Sequence, residues 1–550
     1  MTRFVHAAAL AATIAAAGSA ASAGTGEAAR PGSETIRIGT SADGTPIEVY
    51  AIGEVGRDSY GRRREERPAL LIVAGLQAHH TLGTDVVEQL RQRLVREFDG
   101  SLDTATIYLL PLANPDGRAR FLQEGPFKAE SAKAPAELDA DGDGRTDEDG
   151  PNDLNGDGLI TMVRVAAPSA AADKYGLTAT HVIDADDPRL MREPEDGEVA
   201  THAVMIEGID DDGDGAFNED GWGGAGGGGT NLDKNFSTHW PELTDGSGLY
   251  PYERPESRVI VDWMLSRPNI TQVLVYGPHD TLGTMPKSGQ YGPAKRVPKG
   301  LEKADEAHHK MASDAFKEIT DVIKDGSGDR SGSMVQWAYS EFGVMSYSTP
   351  VWYRPDLYKK DGSKPGNNAD EAWLAHLDDE RGGEGFVNWS EVQHPQLGTV
   401  EVGGFAPGVR TNPPAGAVDG LVTQQLEFIR ELTGMQPQLR VGEPSVERVG
   451  ERLFRVRMTA TNEGTLPTVT AIGLKTRRLA PLVVEIDADQ RLADDAFLTG
   501  SRVQRADTIA GGETVSMEWL ITADPGSRVR IEARSPRFGT SDITIRLEGN

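Results

Sequence analysis

The chain of 550 residues contains no cysteine, and this absence limits its chemistry. Without thiols there is no disulfide, no thiolate metal site and no cysteine nucleophile. Basic residues are also scarce, because 56 Lys+Arg stand against 85 Asp+Glu and give a formal net charge of −29. Such a charge opposes binding to nucleic acid or to an anionic membrane through a basic face. The chemistry must therefore come from histidine, carboxylate, serine and lysine side chains.

Long apolar runs and several common catalytic motifs are missing as well. No segment reaches the roughly 20 apolar residues that span a bilayer, and no G-x-S-x-G elbow, Walker loop or dinucleotide fingerprint occurs. The first residues carry Arg3, an alanine-rich apolar stretch and then Ala21-Ser22-Ala23. This order is typical of a secretory signal peptide. We expect a signal peptide over residues 1–23, cleavage near Ala23, a disordered leader over 24–34, and a secreted or periplasmic protein.

The hydrophobic pattern that follows predicts an α/β fold. Two strands flank an Asp-Gly turn in residues 35–55, and PALLIVAGL and TATIYLLPL are short apolar runs typical of buried strands. Residues 83–97 have the apolar spacing of a helix, as do residues 301–323, in which we expect His308 and His309 on the surface. Alternating strands and helices favour a mixed, mostly parallel sheet flanked by helices.

Two regions differ from this pattern. Residues 438–550 consist of short alternating runs broken by turns, including TAIGLKTR, and predict a separate C-terminal β-sandwich domain. Residues 135–230 form an acidic, glycine-rich insertion in the preceding domain, which we place at 35–432. We expect the insertion to be rich in loops and to have little apolar core of its own.

Three segments of the insertion repeat oxygen-bearing residues at alternate positions before a glycine. This spacing lets a chain fold around a hard cation, and it predicts calcium in at least one segment. A glutamate at the twelfth position and flanking helix pairs, as in an EF-hand, are absent, so a solvated acidic loop remains the alternative. The candidate calcium ligands are Asp139, Asp141, Asp143 and Asp147; Asp153, Asn155 and Asp157; and Asp210, Asp212, Asp214 and Asn218.

The order of short motifs outside the insertion resembles a known enzyme family. AGLQAHHTLG follows one buried strand, Asn-Pro-Asp-Gly (114–117) follows the next, and NLDKNF, RPESR, TQVLVYGPHD and GVMSYSTPVW come later in the chain. Together they resemble the zinc metallocarboxypeptidases related to carboxypeptidase A, over about residues 35–432. The resemblance implies peptide hydrolysis by a zinc-bound water, with two His and one Glu as ligands and a second Glu as general base.

At the positions that hold the zinc ligands, the general base and the substrate-binding residues in that family, this sequence carries other residues. Glutamine is a poor zinc ligand, glycine offers none, and proline cannot accept a proton. An aspartate and a lysine also stand where the resemblance implies an asparagine and an arginine that bind substrate. The zinc positions hold Gln77, His80 and Gly277 (or Tyr276), the base position holds Pro350, and the substrate positions hold Asp233 and Lys234.

Two functions remain open from the sequence. The replaced residues favour a pseudoenzyme that lacks zinc. Such a protein would bind a peptide or polymer fragment in the cleft that holds the substrate in the zinc metallocarboxypeptidases. Alternatively, His80, His279 and Asp280 form a remodelled metal site, because they follow buried strands where an α/β sheet builds its site. The chain would then be an active metallocarboxypeptidase or amidase. Nothing in the sequence indicates the oligomeric state.

Overall fold

The structure is a computed structural model of the whole chain. It describes residues 32–97, 102–123, 145, 149–218, 230–242, 244, 246–292, 297–323, 328–358, 369–488 and 496–548. The proposed signal peptide and most of the leader lie outside these residues.

The part of the chain before residue 435 contains twelve of the described strands and eight of the described helices. The strands are β1 (Gly32–Thr40), β2 (Pro46–Gly53), β3 (Ala69–Val73), β4 (Thr106–Leu110), β5 (Met162–Ala166), β6 (Val182–Ile183), β7 (Met191–Arg192), β8 (His202–Ile206), β9 (Ile270–Tyr276), β10 (Met345–Thr349), β11 (Phe386–His394) and β12 (Gly398–Phe405). The helices are α1 (Thr81–Glu97), α2 (Pro115–Gln123), α3 (Ala170–Lys174), α4 (Pro255–Leu265), α5 (Glu306–Thr320), α6 (Met334–Trp337), α7 (Ala369–Arg381) and α8 (Val418–Gly434).

The main sheet has six strands in the order β1-β2-β4-β3-β9-β10. The pairs β4–β3, β3–β9 and β9–β10 are parallel, and β1–β2 and β2–β4 are antiparallel. This mixed sheet confirms the predicted fold class. Because β3, β9 and β10 are parallel neighbours, the loops that follow them emerge along one edge, which we call the carboxyl edge.

Both faces of the main sheet are buried, which explains the continuous apolar runs. Alternate residues of β3 point to opposite sides, since Leu70 and Ile72 join the cluster formed with α1, α5 and α8, whereas Leu71 and Val73 join the cluster formed with α4 and α6. The result is a three-layer α/β arrangement.

The insertion is more ordered than its composition predicted. Its strands β5 and β8 pair with the later hairpin β11–β12 in an antiparallel sheet of order β11-β12-β5-β8. Val163, Val165, Val400 and Val402 form a hydrophobic cluster under this sheet. Five of the eight buried members of this cluster come from the insertion itself, and the other three come from a hairpin about two hundred residues further along the chain. The expectation of little apolar core was therefore wrong.

The C-terminal region is a pair of strand-rich sheets, as predicted. One has the order β13-β15-β19-β17 with β14 beside β15, and the other has the order β18-β16-β20-β21. Its elements are β13 (Leu439–Val441), β14 (Ser445–Gly450), β15 (Leu453–Asn462), α9 (Ala471–Thr476), β16 (Leu482–Ala488), β17 (Phe497–Thr499), β18 (Val503–Ala506), β19 (Thr514–Thr522), β20 (Arg528–Ser535) and β21 (Gly539–Arg546). TAIGLKTR was expected as a strand but forms α9, whose N-cap Thr470 accepts a bond from Gly473 N.

Buried polar contacts fix the C-terminal sheets to the α/β part. The carboxylate of Asp305, the residue before α5, accepts bonds from the backbone N–H groups of Ala471 and Ile472 at the start of α9. Arg537, which is 2% exposed, donates to the backbone oxygen of Ile270 at the start of β9. Within the described residues, no helix is long and apolar enough to cross a membrane.

Candidate functional site

The candidate site lies at the carboxyl edge, where the loops after β3, β9 and β10 meet. The loop after β3 carries Gln77 and His80, the loop after β9 carries His279, and Pro350 follows β10. The short helical turn Leu232–Lys234 adds Asp233 from the segment after the insertion. The topology thus brings together residues that are up to 273 positions apart, as the motif order predicted.

The loop after β3 is buried. Gln77 is 7% exposed and His80 is 3% exposed. Burial lowers the pKa of His80 to about 4, with the neighbouring His79 adding to the effect, although the backbone of Pro350 favours the protonated form. His80 is therefore a neutral, enclosed imidazole at physiological pH. It bridges the loops after β3 and β10.

Gly277, Asp233 and His279 form the second part of the edge. The carboxylate oxygen Oδ2 of Asp233 lies 3.4 Å from Nε2 of His279, and Oδ1 accepts a bond of 2.9 Å from Met334 N at the start of α6. Asp233 is 2% exposed, and burial raises its pKa although His279 opposes the shift. A Cβ on Gly277 would meet nothing nearer than Asp233 Oδ2, at 4.0 Å. The absent side chain thus leaves room beside an Asp–His pair.

Asp280 does not face a metal position, because its carboxylate holds its own loop. Oδ1 accepts bonds from Leu282 N at 3.0 Å and Gly283 N at 2.7 Å, and Oδ2 accepts one from Thr284 N at 3.1 Å. The hydroxyl of Tyr353 donates to Oδ1 at 3.0 Å. These bonds tie the loop after β9 to the loop after β10.

The segment after β10 has an unusual backbone. Val351 follows Pro350 and has φ of 70°, a left-handed conformation that β-branched residues rarely adopt. Its N–H donates to Thr349 Oγ1 at 3.0 Å, and that hydroxyl lies 3.1 Å from the Tyr353 hydroxyl. The local hydrogen bonds hold a strained turn where the family resemblance implies the general base.

The geometry tests the proposed metal site. In the described part of the chain, only Asp210, Asp212 and Asp214 place three candidate ligand atoms of His, Cys, Asp or Glu within 4.8 Å of one another. His80, His279 and Asp280 are not gathered in this way among the described residues. The residues at the implied zinc positions do not fit a zinc ion either.

Lys234, the second expected substrate residue, is partly exposed on the same turn as Asp233. Its backbone packs closely on Gly332, where a Cβ would lie 2.4 Å from the Lys234 oxygen. The turn is therefore held tightly in front of α6.

The second and third acidic loops belong to the insertion and not to the carboxyl edge. Asp139, Asp141, Asp143 and Asp147 lie outside the described residues. In the second loop, Asp153 accepts bonds from Gly156 N and Gly158 N at 2.7 and 2.8 Å, and Asn155 and Asp157 make similar local bonds. The exposed side chains of this loop thus mainly order their own backbone.

Buried carboxylates join the second and third acidic loops. Glu207, which is fully buried, accepts bonds from Leu154 N at 2.6 Å and Thr161 N at 2.8 Å, and burial raises its pKa. Asp149, also fully buried, accepts bonds from Asp211 N and Asn218 N at 3.2 and 2.9 Å. The cluster Asp210–Asp214 is therefore set on a preformed frame.

Asn218 differs from the expected calcium ligand. It is 1% exposed, and its Nδ2 donates to Ile206 O. Its Oδ1 lies 1.8 Å from the position that a Cβ on Gly208 would take. The amide oxygen therefore points at the backbone before the loop, and this contact explains why only glycine fits at 208.

Sequence reasoning missed one set of contacts near the site and one buried histidine in α5. Asn412 Oδ1 accepts bonds from Thr81 N and Leu82 N at 3.1 and 3.0 Å, and its Nδ2 donates to His79 O at 3.0 Å. His309, expected on the surface, is fully buried, neither ring nitrogen is hydrogen-bonded to a described residue, and burial lowers its pKa to about 3. No local pattern reveals the first contact, whereas the apolar period of α5 could have indicated the second.

Comparisons with known proteins agree with the motif order. The family model described as zinc carboxypeptidase matches residues 27–148. This match confirms the resemblance for that segment. A model described as a domain of unknown function matches residues 438–546. No curated protein matches the chain.

Several solved carboxypeptidases are similar at low identity. Carboxypeptidase A from Helicoverpa armigera is 14% identical with a TM-score of 0.32, and the match covers 60% of this chain and 62% of that one. Bovine thrombin-activatable fibrinolysis inhibitor, solved with a tick carboxypeptidase inhibitor, is 11% identical with a TM-score of 0.34 and coverage of 73% and 89%. A metallo-carboxypeptidase from Burkholderia cenocepacia is 12% identical with a TM-score of 0.31 and coverage of 72% and 64%. This chain thus spans less than two thirds of the insect and Burkholderia proteins.

Proposed function

Because residues 27–148 match the zinc carboxypeptidase family, we propose that this chain is a secreted, zinc-free pseudoenzyme that binds a peptide or polymer end. One observation carries the proposal. Within the described residues the carboxyl edge gathers no three-ligand group. The carboxylate of Asp280 instead accepts a hydrogen bond from Tyr353, and His279 lies beside Asp233.

The Asp233–His279 pair takes the central place in this proposed cleft. Since Asp233 is buried and bonded to Met334 N, it can fix the imidazole of His279 without meeting the ligand itself. The His279 side chain is 16% exposed. An imidazole held in this way offers a hydrogen bond to a peptide, and no nucleophile or metal-bound water is needed for binding.

Metal analysis together with a cleavage assay tests the proposal. The purified, signal-free protein is incubated with zinc, dialysed, and assayed on peptides with a free C-terminus. We expect less than stoichiometric zinc and no release of C-terminal residues. One zinc ion per chain together with turnover that a chelator abolishes would overturn the proposal.

A designed variant provides the positive control. Gln77→His, His80→Glu and Gly277→His restore the implied ligand set, and the space beside Gly277 admits a side chain. We expect this triple variant to retain zinc through dialysis under conditions in which the parent loses it. The control is a double variant, His239→Gln with His308→Gln, which changes two histidines outside the cleft.

The acidic insertion carries a second part of the proposal, in which Ca²⁺ binds to Asp210, Asp212 and Asp214. Three carboxylates within 4.8 Å repel one another, and a divalent cation would neutralise them. The frame of Glu207 and Asp149 supports a preformed loop. Calorimetric titration of chelator-treated protein with Ca²⁺ tests this part of the proposal. If the heat of Ca²⁺ binding were the same in the Asp212→Asn variant as in the parent protein, the proposed site would be contradicted.

A further inference from the structure

A pocket opens beside the candidate site, between the loop after β3 and the loop after β12. Its volume is about 170 Å³, and it is lined by His79, Phe405, Ala406, Gly408, Arg410 and Thr411. At roughly 30 Å³ per water molecule, this space holds about five or six waters. It therefore suits one small group of a ligand rather than a large ring system.

The charge of the lining is unusual for this chain. Although the sequence contains 85 Asp+Glu, no acidic side chain is among the described residues that line the pocket, whereas one arginine and one histidine are. The guanidinium of Arg410 lies 4.7 Å over the Phe405 ring, and its Nη1 donates to Asp370 Oδ1 at 2.6 Å. The Phe405 ring, which lines the pocket, and Asp370, which is not among the lining residues, orient the guanidinium.

The two walls of the pocket are joined by Asn412. Its side chain bonds to the backbone of His79, Thr81 and Leu82 on one wall and to Gly408 O on the other. A wall fixed by several bonds preserves the shape of the pocket before a ligand arrives, and preorganisation of this kind favours binding.

We infer that this pocket is an anchor subsite of the cleft and that it binds a carboxylate group of the ligand. A guanidinium recognises a carboxylate through charge-assisted hydrogen bonds, and a group of this size fits the volume. The carboxylate can belong to an acidic side chain or to a chain end. The inference rests on the proposed binding function and adds the chemical class of the ligand.

Calorimetry with three acetylated pentapeptides tests the inference on the full, signal-free chain. The first has a free C-terminus and no acidic side chain, the second has a C-terminal amide and one Glu, and the third has a C-terminal amide and no acid. We expect the first or the second to bind at least about tenfold more tightly than the third. Which of them binds identifies the source of the carboxylate.

Variants assign the effect to the pocket. Arg410→Gln is expected to reduce binding of the preferred peptide about tenfold or more without changing binding of the third, and Arg410→Lys should restore part of the loss. Arg192→Gln is the matched control, because Arg192 is also ion-paired but lies in the insertion. Equal affinity for all three peptides would overturn the inference of a carboxylate subsite but would leave the proposed binding function intact. No binding of any peptide at millimolar concentration would overturn the proposed function with it.

Discussion

Ionisable side chains collect in two places in this molecule, at the carboxyl edge of the main sheet and in the acidic insertion. At the carboxyl edge, Asp233, His80 and Asp280 are each no more than 3% exposed, and protein groups contact them. In the insertion, Asp214 is exposed, and its carboxylate lies near those of Asp210 and Asp212.

The difference shows how neighbouring groups decide what a carboxylate can do. A buried carboxylate that accepts several hydrogen bonds is already satisfied, and a metal would have to displace those bonds. Carboxylates that lie close together and repel one another gain free energy when a cation binds between them. The cleft is therefore expected to depend on pH and packing, and the insertion on divalent cations.

The largest expected effect is acid destabilisation through buried histidines. Burial lowers the pKa of His309 to about 3 and of His80 to about 4, whereas an unfolded histidine titrates near 6.5. Between these values only the unfolded state takes up the proton, so stability falls as pH falls below about 6.5 and levels off below the folded pKa. At pH 4.5, each histidine should cost about 2.5 kcal/mol relative to pH 7, so that the two together cost about 5 kcal/mol.

Urea unfolding at several pH values measures this effect. His309→Gln should remove about one proton from the pH dependence below 6.5, and Met311→Gln, a change at an exposed non-titrating residue of the same helix, should leave it unchanged. An identical pH dependence in both variants would show that His309 is accessible to protons in the folded state.

A second large effect is expected for Asp280, which the sequence offered as a metal ligand. Asp280→Ala leaves three backbone N–H groups and the Tyr353 hydroxyl without their acceptor. We expect a loss of about 3 kcal/mol or more in unfolding free energy. Asp314→Ala, an exposed acid on α5, is the control and should cost less than about 1 kcal/mol. A stable Asp280→Ala variant with altered metal content would restore its role as ligand.

Much of the fold could be predicted from the sequence because local patterns determine it. The runs that became β3, β4, β9 and β10 are buried on both faces, so their apolar composition is visible without any partner. The sheet of the insertion was not predictable in the same way, because β5 takes its neighbour β12 from a distant hairpin.

The location of the candidate site could be predicted from the sequence, but the hydrogen-bond partners of its side chains could not. Motif order located Gln77, Gly277 and Pro350 at one edge, since parallel strands end together. The partners of Asp280 and His279 depend on rotamers and on Tyr353 and Asp233, which come from other segments. Sequence spacing carries no information about such tertiary hydrogen bonds.

A smaller effect is expected when Ca²⁺ is added to or removed from the insertion. If the loop Asp210–Asp214 binds the ion, Ca²⁺ at a hundred times its Kd should stabilise the folded insertion by about 2.7 kcal/mol. Limited proteolysis between β8 and residue 218, with Ca²⁺ or a chelator, measures the local change. Asp212→Asn should abolish the difference and Asp173→Asn, an exposed acid in α3, should preserve it. Equal protection in Asp212→Asn would place the ion elsewhere.

The smallest expected effect is the difference in unfolding free energy between removing a hydrogen-bonded tyrosine hydroxyl and removing a buried one that is not hydrogen-bonded. Tyr353 and Tyr347 are both buried, but the Tyr353 hydroxyl donates to Asp280, whereas the Tyr347 hydroxyl has no hydrogen-bond partner in the part of the chain that the structure describes. Removing a bonded hydroxyl loses about 1 kcal/mol, while removing an unpartnered one relieves a desolvation cost. We therefore expect Tyr353→Phe to lower the unfolding free energy by about 1 kcal/mol and Tyr347→Phe to leave it unchanged or raise it. Equal losses in both variants would mean that packing, rather than the bond to Asp280, holds the two loops of the carboxyl edge together.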